Sequence, residues 1–164
     1  MNSALLIIDM QNGFLNEYPD KSDIPGAIEV INYVADLMRK GGQTVIHIRD
    51  VGEADFMSEE DLDIHPDIQQ DPADLHLEKT YSNAFHNTKL AQRLAERNIK
   101  FLILAGQAAE HCVVFTYNGA SENQLTATVL QDGVISAKTG RSQMLMEDRN
   151  IISHAAIRAL IPNA

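Results

Sequence analysis

The chain is poor in several residues at once: of 164 it has one cysteine, Cys112, no tryptophan, five prolines and nine glycines. A lone cysteine excludes an intrachain disulfide framework and any zinc or iron–sulfur site built from several thiolates, so the fold needs no oxidising compartment. So few prolines and glycines, beside 45% hydrophobic residues, exclude collagen-like and disordered chains. Basic residues are scarce as well: 13 Lys and Arg face 23 Asp and Glu, a formal charge of −10. That field repels phosphate backbones and anionic headgroups, and the expected partner is a small molecule, with no nucleic acid and no membrane. No apolar run approaches the roughly 20 residues that span a bilayer, and the residues before Ala4 lack a basic stretch, so the cytoplasm is the expected compartment. The length suits one domain, residues 1–164.

What is present is an alternation of strands and helices. Ala4 to Ile8 is a continuous apolar run ended by Asp9, as in a parallel strand covered on both faces. Pro25 opens a segment whose apolar residues recur at helical spacing until Gly41 and Gly42, predicting a helix over about 25–40. Thr44 to Ile48 reads as the second strand. Residues 50–75 are dense in Asp and Glu and without apolar period, predicting a long irregular excursion of the kind that serves function. Strands then follow over Leu75 to Lys79, Phe101 to Ala105 and Leu125 to Leu130, with helices over Thr88 to Arg97, about 110–122 and about 142–160. The order predicts a doubly wound, three-layer α/β/α sandwich with a mostly parallel, Rossmann-like sheet, whose ligands bind beyond the carboxyl ends of the strands.

Asp9 and Cys112 both fall at that edge. By itself a free cysteine is more often a small buried hydrophobe, an aspartate at a strand end a solvated group or cap, and a lysine such as Lys79 a surface charge. In the first turn of a helix, however, the positive end of the dipole lowers a thiol's pKa and favours the thiolate. Covalent acyl transfer needs a nucleophile, a group to move its proton and a cation or N–H pair to hold negative charge. Cys112, Asp9 and Lys79 supply those roles as a catalytic triad. Phe14, Tyr81, Phe85 and Gln107 are candidate substrate-pocket walls by position.

Three blocks carry a resemblance. Leu5-Leu6-Ile7-Ile8-Asp9-Met10-Gln11-Asn12-Gly13-Phe14, Glu78-Lys79-Thr80-Tyr81-Ser82-Asn83-Ala84-Phe85 and Leu104-Ala105-Gly106-Gln107-Ala108-Ala109-Glu110-His111-Cys112-Val113 stand in the order and spacing of the isochorismatase-like cysteine hydrolases, which include nicotinamidases and N-carbamoylsarcosine amidases. The resemblance spans nearly the whole chain. It implies that Cys112 is the nucleophile, Asp9 the acid/base and Lys79 the cation beside them. It also implies a cis peptide between Gln107 and Ala108, with the N–H groups of Ala108 and Cys112 as the oxyanion hole. The implied reaction is hydrolysis of an amide or carbamoyl C–N bond through a Cys112 thioester, in a homo-oligomer of two or more copies. Ala109 departs from the Thr or Ser frequent at its position, which bears on substrate identity rather than on chemistry.

Metal-binding members hold their ion with an Asp-x-His just after the second strand. Here Asp50-Val51-Gly52 stands there without histidine, and Asp63-Ile64-His65 lies well downstream, so neither metal nor other cofactor is expected. On a helix His111 and Cys112 point about 100° apart, so His111 is expected as a neighbour rather than a base, and Arg49 either meets a substrate carboxylate or pairs with Asp50 or the acidic loop. The alternatives are a metal-assisted nicotinamidase, a vinyl ether hydrolase of the isochorismatase type, and a catalytically silent member acting as a binding subunit. A receiver or nucleotide-binding module is excluded: the chain has no G-x-x-x-x-G-K-[ST] and no G-x-G-x-x-G after a strand, and no acceptor Asp follows Phe101 to Ala105.

Overall fold

The computed structural model describes residues 2–21, 23–52 and 54–161. In chain order they form β1 (Ser3–Ile8), α1 (Asn12–Asn16), α2 (Asp23–Lys40), β2 (Thr44–Asp50), α3 (Glu59–Leu62), β3 (Leu75–Lys79), α4 (Leu90–Glu96) and β4 (Phe101–Gly106). A π-helical turn, Ala109–Val113, then leads into α5 (Val114–Glu122), β5 (Thr126–Val134), α6 (Arg141–Asp148), β6 (Ile151–Ile152) and α7 (His154–Leu160). The strands make one sheet in the order β3-β2-β1-β4-β5-β6, and every pairing in it is parallel. The expected mostly parallel sheet is thus wholly parallel, apart from one isolated antiparallel bridge between Gln11 and Ile64.

Apolar residues on both sides of each central strand create this architecture. Leu5 and Ile7 of β1, with Ile103 and Ala105 of β4, enter one core under α2 and α7. Ala4, Leu6 and Ile8, with Leu102 and Leu104, enter a second core with Leu90 and Leu94 of α4, Ala120 of α5 and Leu145 of α6. The period of two sends alternate residues to opposite faces, which is why a strand covered twice must be apolar throughout. Each fully buried Leu or Ile here contributes about 1.5–3 kcal/mol relative to exposure.

Two boundaries differ from expectation in an informative way. The predicted last helix over 142–160 is two helices separated by β6, because Ile151 and Ile152 pair with Val129 and Leu130 at the sheet edge. Ser153 then caps α7 by accepting a hydrogen bond from the Ala156 N–H, a stop-and-restart that apolar spacing alone conceals. The helix expected over 110–122 begins with the π-helical turn, broken at His111 (φ −125°, ψ −105°), so Cys112 does not stand in the first turn of a regular α-helix. Between β2 and β3 the chain is irregular as expected, except for the single turn of α3, which Ser58 and Asp61 close with a reciprocal capping box.

Candidate active site

Four neighbouring parallel strands each deliver one side chain to a common point beyond their carboxyl ends. Lys79 ends β3, Asp50 ends β2, Asp9 follows β1, and Cys112 follows the turn after β4. The turn depends on Gly106. Its φ of +104° lies in the left-handed region, and a Cβ there would stand 2.1 Å from the Ile8 carbonyl oxygen. With no side chain in the way, the Gln107 N–H donates to the Ile8 carbonyl at 2.9 Å. The next peptide, Gln107–Ala108, is cis.

The Lys79 ammonium is at the centre. Nζ lies 2.8 Å from Asp9 Oδ2, 2.5 Å from Asp50 Oδ2 and 3.3 Å from Cys112 Sγ. Burial alone would lower its pKa; its contacts with Asp9, Cys112 and Asp50 outweigh that and hold it above the ordinary lysine range. Asp9, Asp50 and Cys112 place a ligand atom each within 4.8 Å of one another, a trio that could hold a cation. The ammonium already contacts all three groups, and thiolate with two carboxylates is a mixed donor set in which Lys79 fills the ion's position. The residues therefore do not fit a metal in place of Lys79.

Asp9 is held with φ +51°, a left-handed conformation that Asp tolerates better than most residues, and its N–H donates to the Ile48 carbonyl at 2.9 Å. Its side chain is buried, and Oδ1 has no hydrogen-bond partner among the described residues. Burial raises the carboxyl to about 6, against the opposing pull of Lys79 and of hydrogen bonds from Cys112 and Lys79. The thiol departs from the expectation of a lowered pKa: burial, reinforced by the Asp9 charge, pushes it up to about 12, and Lys79 offsets this only in part. Burial and the adjacent carboxylate are the physical reasons. Burial thus favours the thiol at Cys112, beside a carboxylate placed to take its proton.

A cavity of about 470 Å³ opens over this cluster, lined in part by Phe14, Tyr81, Gln107, Ala108 and His111. Phe14, Tyr81 and Gln107 thus stand where the sequence reading put them. Phe85 does not: it packs against the second core, among the residues under α4 and α5. Asp63 and His65 are outside the cavity lining, and Arg49 pairs with Glu78 at 2.5 Å and Asp63 at 3.8 Å, facing a different depression of about 580 Å³ along β3. Two residues of the site were missed in the sequence. Asp50 enters the sequence reading as a possible partner of Arg49 and as the place where a metal ligand is lacking, yet it ends a buried strand just as Asp9 does, and Arg49 pairs with Glu78 and Asp63 instead. Gln11, fully buried, donates from Nε2 to the carbonyls of Asp50 and Leu62 and accepts the Asp50 N–H at 2.7 Å, tying Asp50 to the acidic loop.

No helix among the described residues is long and apolar enough to cross a membrane. The family model of the isochorismatase domain matches residues 3–156. The chain is 25% identical to the ureidoacrylate amidohydrolase of Caulobacter vibrioides, over 82% of its own length and 77% of that protein. It is 29% identical to an isochorismatase family protein of Bacillus subtilis, over 82% and 81% of the two. Among solved structures it superposes on an isochorismatase-like hydrolase from Alkaliphilus metalliredigens with a TM-score of 0.84 and 21% identity, covering 97% of this chain and 99% of that one. The chain belongs to the isochorismatase family of hydrolytic enzymes.

Proposed function

We propose that the chain is a cysteine hydrolase that cleaves the C–N bond of a small amide or carbamoyl compound through a thioester on Cys112. The observation that carries this reading is the contact of Cys112 and Asp9 with one buried ammonium beneath an open cavity, with a carboxylate oxygen of Asp9 that has no partner among the described residues. The name of the Caulobacter relative, an amidohydrolase, supports the bond class.

In this reading Asp9 takes the thiol proton as sulfur attacks the carbonyl carbon, so that a C–S bond forms while the carbonyl π electrons move to oxygen. The backbone N–H groups of Ala108 and Cys112 hold that oxyanion. Collapse breaks the C–N bond, and Asp9 returns its proton to the leaving amine. Asp9 then deprotonates a water that attacks the thioester, and the released sulfur recovers the proton. Lys79 opposes the burial-driven rise of the Asp9 carboxyl and steadies charge on sulfur during attack. No resident metal or organic cofactor enters any step.

The test is a panel of small carboxamides and carbamoyl compounds assayed for ammonia or amine release, with intact-mass detection of the acylated protein after rapid quenching. Turnover accompanied by a mass increment mapping to Cys112 is the expected result. Turnover that persists in Cys112→Ala would overturn the covalent mechanism.

A further inference from the structure

Beneath the turn that carries the reactive groups lies a buried polar pair that the reaction itself does not consume. Tyr18, between α1 and α2, is 6% exposed, and its hydroxyl donates to Gln107 Oε1 at 2.8 Å. Gln107, 5% exposed, in turn donates from Nε2 to the backbone carbonyl of Asp9 at 2.9 Å. The amide has one sensible orientation, because a carbonyl demands the NH₂ end and the phenol hydroxyl then finds the oxygen. Gln107 is also joined through its own N–H to the Ile8 carbonyl, so both peptide units flanking the left-handed Asp9 are tied to one residue of the Cys112 turn.

We propose that Tyr18 and Gln107 form a positioning relay that holds the Asp9 carboxylate against Cys112, with Tyr18 acting through Gln107 rather than on substrate. The inference rests on the reading of Asp9 as the base for Cys112. Lys79 holds Asp9 Oδ2, Oδ1 has no partner among the described residues, and the residue sits in left-handed backbone, so the aim of the carboxylate depends on that backbone as well as on Lys79; the Gln107 amide is a side chain that grips it. A hydroxyl donor is needed at position 18: without it the Gln107 amide loses its fixed orientation and can rotate away from the Asp9 carbonyl. The charged or titratable groups facing Asp9 are Lys79, Asp50 and Cys112, and the one acting on Tyr18 is Glu110, which Ser136 and Lys138 engage from the segment after β5. Glu110 cannot replace the hydroxyl as a donor to Gln107 Oε1, because a carboxylate only accepts.

The experiment measures the rate of Cys112 alkylation by iodoacetamide against pH in the wild type, Tyr18→Phe and Gln107→Leu, by intact mass, with circular dichroism and thermal melting on each. The wild-type rate should rise through pH about 6 as Asp9 ionises, then level. In both variants the plateau should fall roughly tenfold, the scale of a small misplacement of a reacting group, and the acid limb should move toward the ordinary carboxylate range near 4 as water reaches Asp9. A merely structural role would lower the melting temperature and leave the limb in place; a folded Tyr18→Phe protein with the wild-type limb and plateau overturns the relay. Should Tyr18→Phe fail to fold, Gln107→Leu alone decides by the same two readouts. A wild type with no acid limb near 6 refutes the base reading of Asp9 itself, and the relay falls with it, whereas a normal wild-type limb unmoved by the variants refutes the relay only.

Discussion

Two buried ionic clusters lie on neighbouring strands, and they are built to opposite ends. At the carboxyl edge Asp9 shares the Lys79 ammonium with Asp50, and its Oδ1 has no partner among the described residues. Toward the start of β3, Asp74 accepts four hydrogen bonds: two from Arg39, at 3.0 and 2.6 Å, one from the Asp71 N–H at 3.0 Å, and one from His47 Nε2 at 2.9 Å. Burial raises both carboxyls, but at Asp74 the bonds from Arg39, Asp71 and His47 overcome it and hold the group below its usual range, whereas Asp9 rises to about 6. A satisfied carboxylate is a structural pin, here fastening the end of the acidic loop to α2 and β2. An unsatisfied one is a base in waiting, and its cost in stability is the cost of reactivity.

The comparison breaks most sharply at the thiol. Cys112→Ala should reduce turnover of any substrate found in the panel by at least about 10³-fold with the fold intact, as read by initial rates and circular dichroism. Asp9→Asn should cost about 10²–10⁴-fold through loss of the base. Asp74→Asn should do the reverse, lowering unfolding free energy by about 3 kcal/mol in urea titration because Arg39 and His47 lose their shared acceptor, while the rate per folded molecule stays within a few-fold. Since the Asp74 carboxyl is depressed in the fold, its contribution is present above the unfolded carboxylate range of about 4 and is lost as pH falls through the folded value. The gap between wild type and Asp74→Asn should therefore narrow in acid. Arg49→Ala, which removes a largely exposed pair with Glu78, should change stability by less than about 1 kcal/mol.

Much of this was legible in the sequence, for reasons that can be named. β1 and β4 are continuous apolar runs because both faces are covered, and the residues at their ends, Asp9 and the turn to Cys112, were found by that rule alone. Lys79 ends an alternating strand and gained its meaning only beside the other two. Asp50 obeys the same strand-end rule, but its role shows only when β2 and β3 pair and bring it to the Lys79 ammonium. Phe85 was misplaced because its chain turns back into the second core after Ser82, a path set by tertiary contacts such as the Ala84 N–H donating to Thr116 Oγ1. The pKa of Cys112 was misjudged because position in a helix was weighed while burial and the neighbouring carboxylate, which dominate, depend on coordinates. The Tyr18 to Gln107 contact joins residues 89 positions apart, and nothing local announces it.

Cys112 owes its reactivity to Asp9, and the native alkylation rate of Cys112 against pH, compared between the wild type and Asp9→Asn, tests this. The wild-type rate should climb through pH about 6 and level, and the Asp9→Asn rate should stay low until the alkaline range. Superimposable profiles for the two proteins, rising together near the free-thiol value of about 8.5, would contradict it.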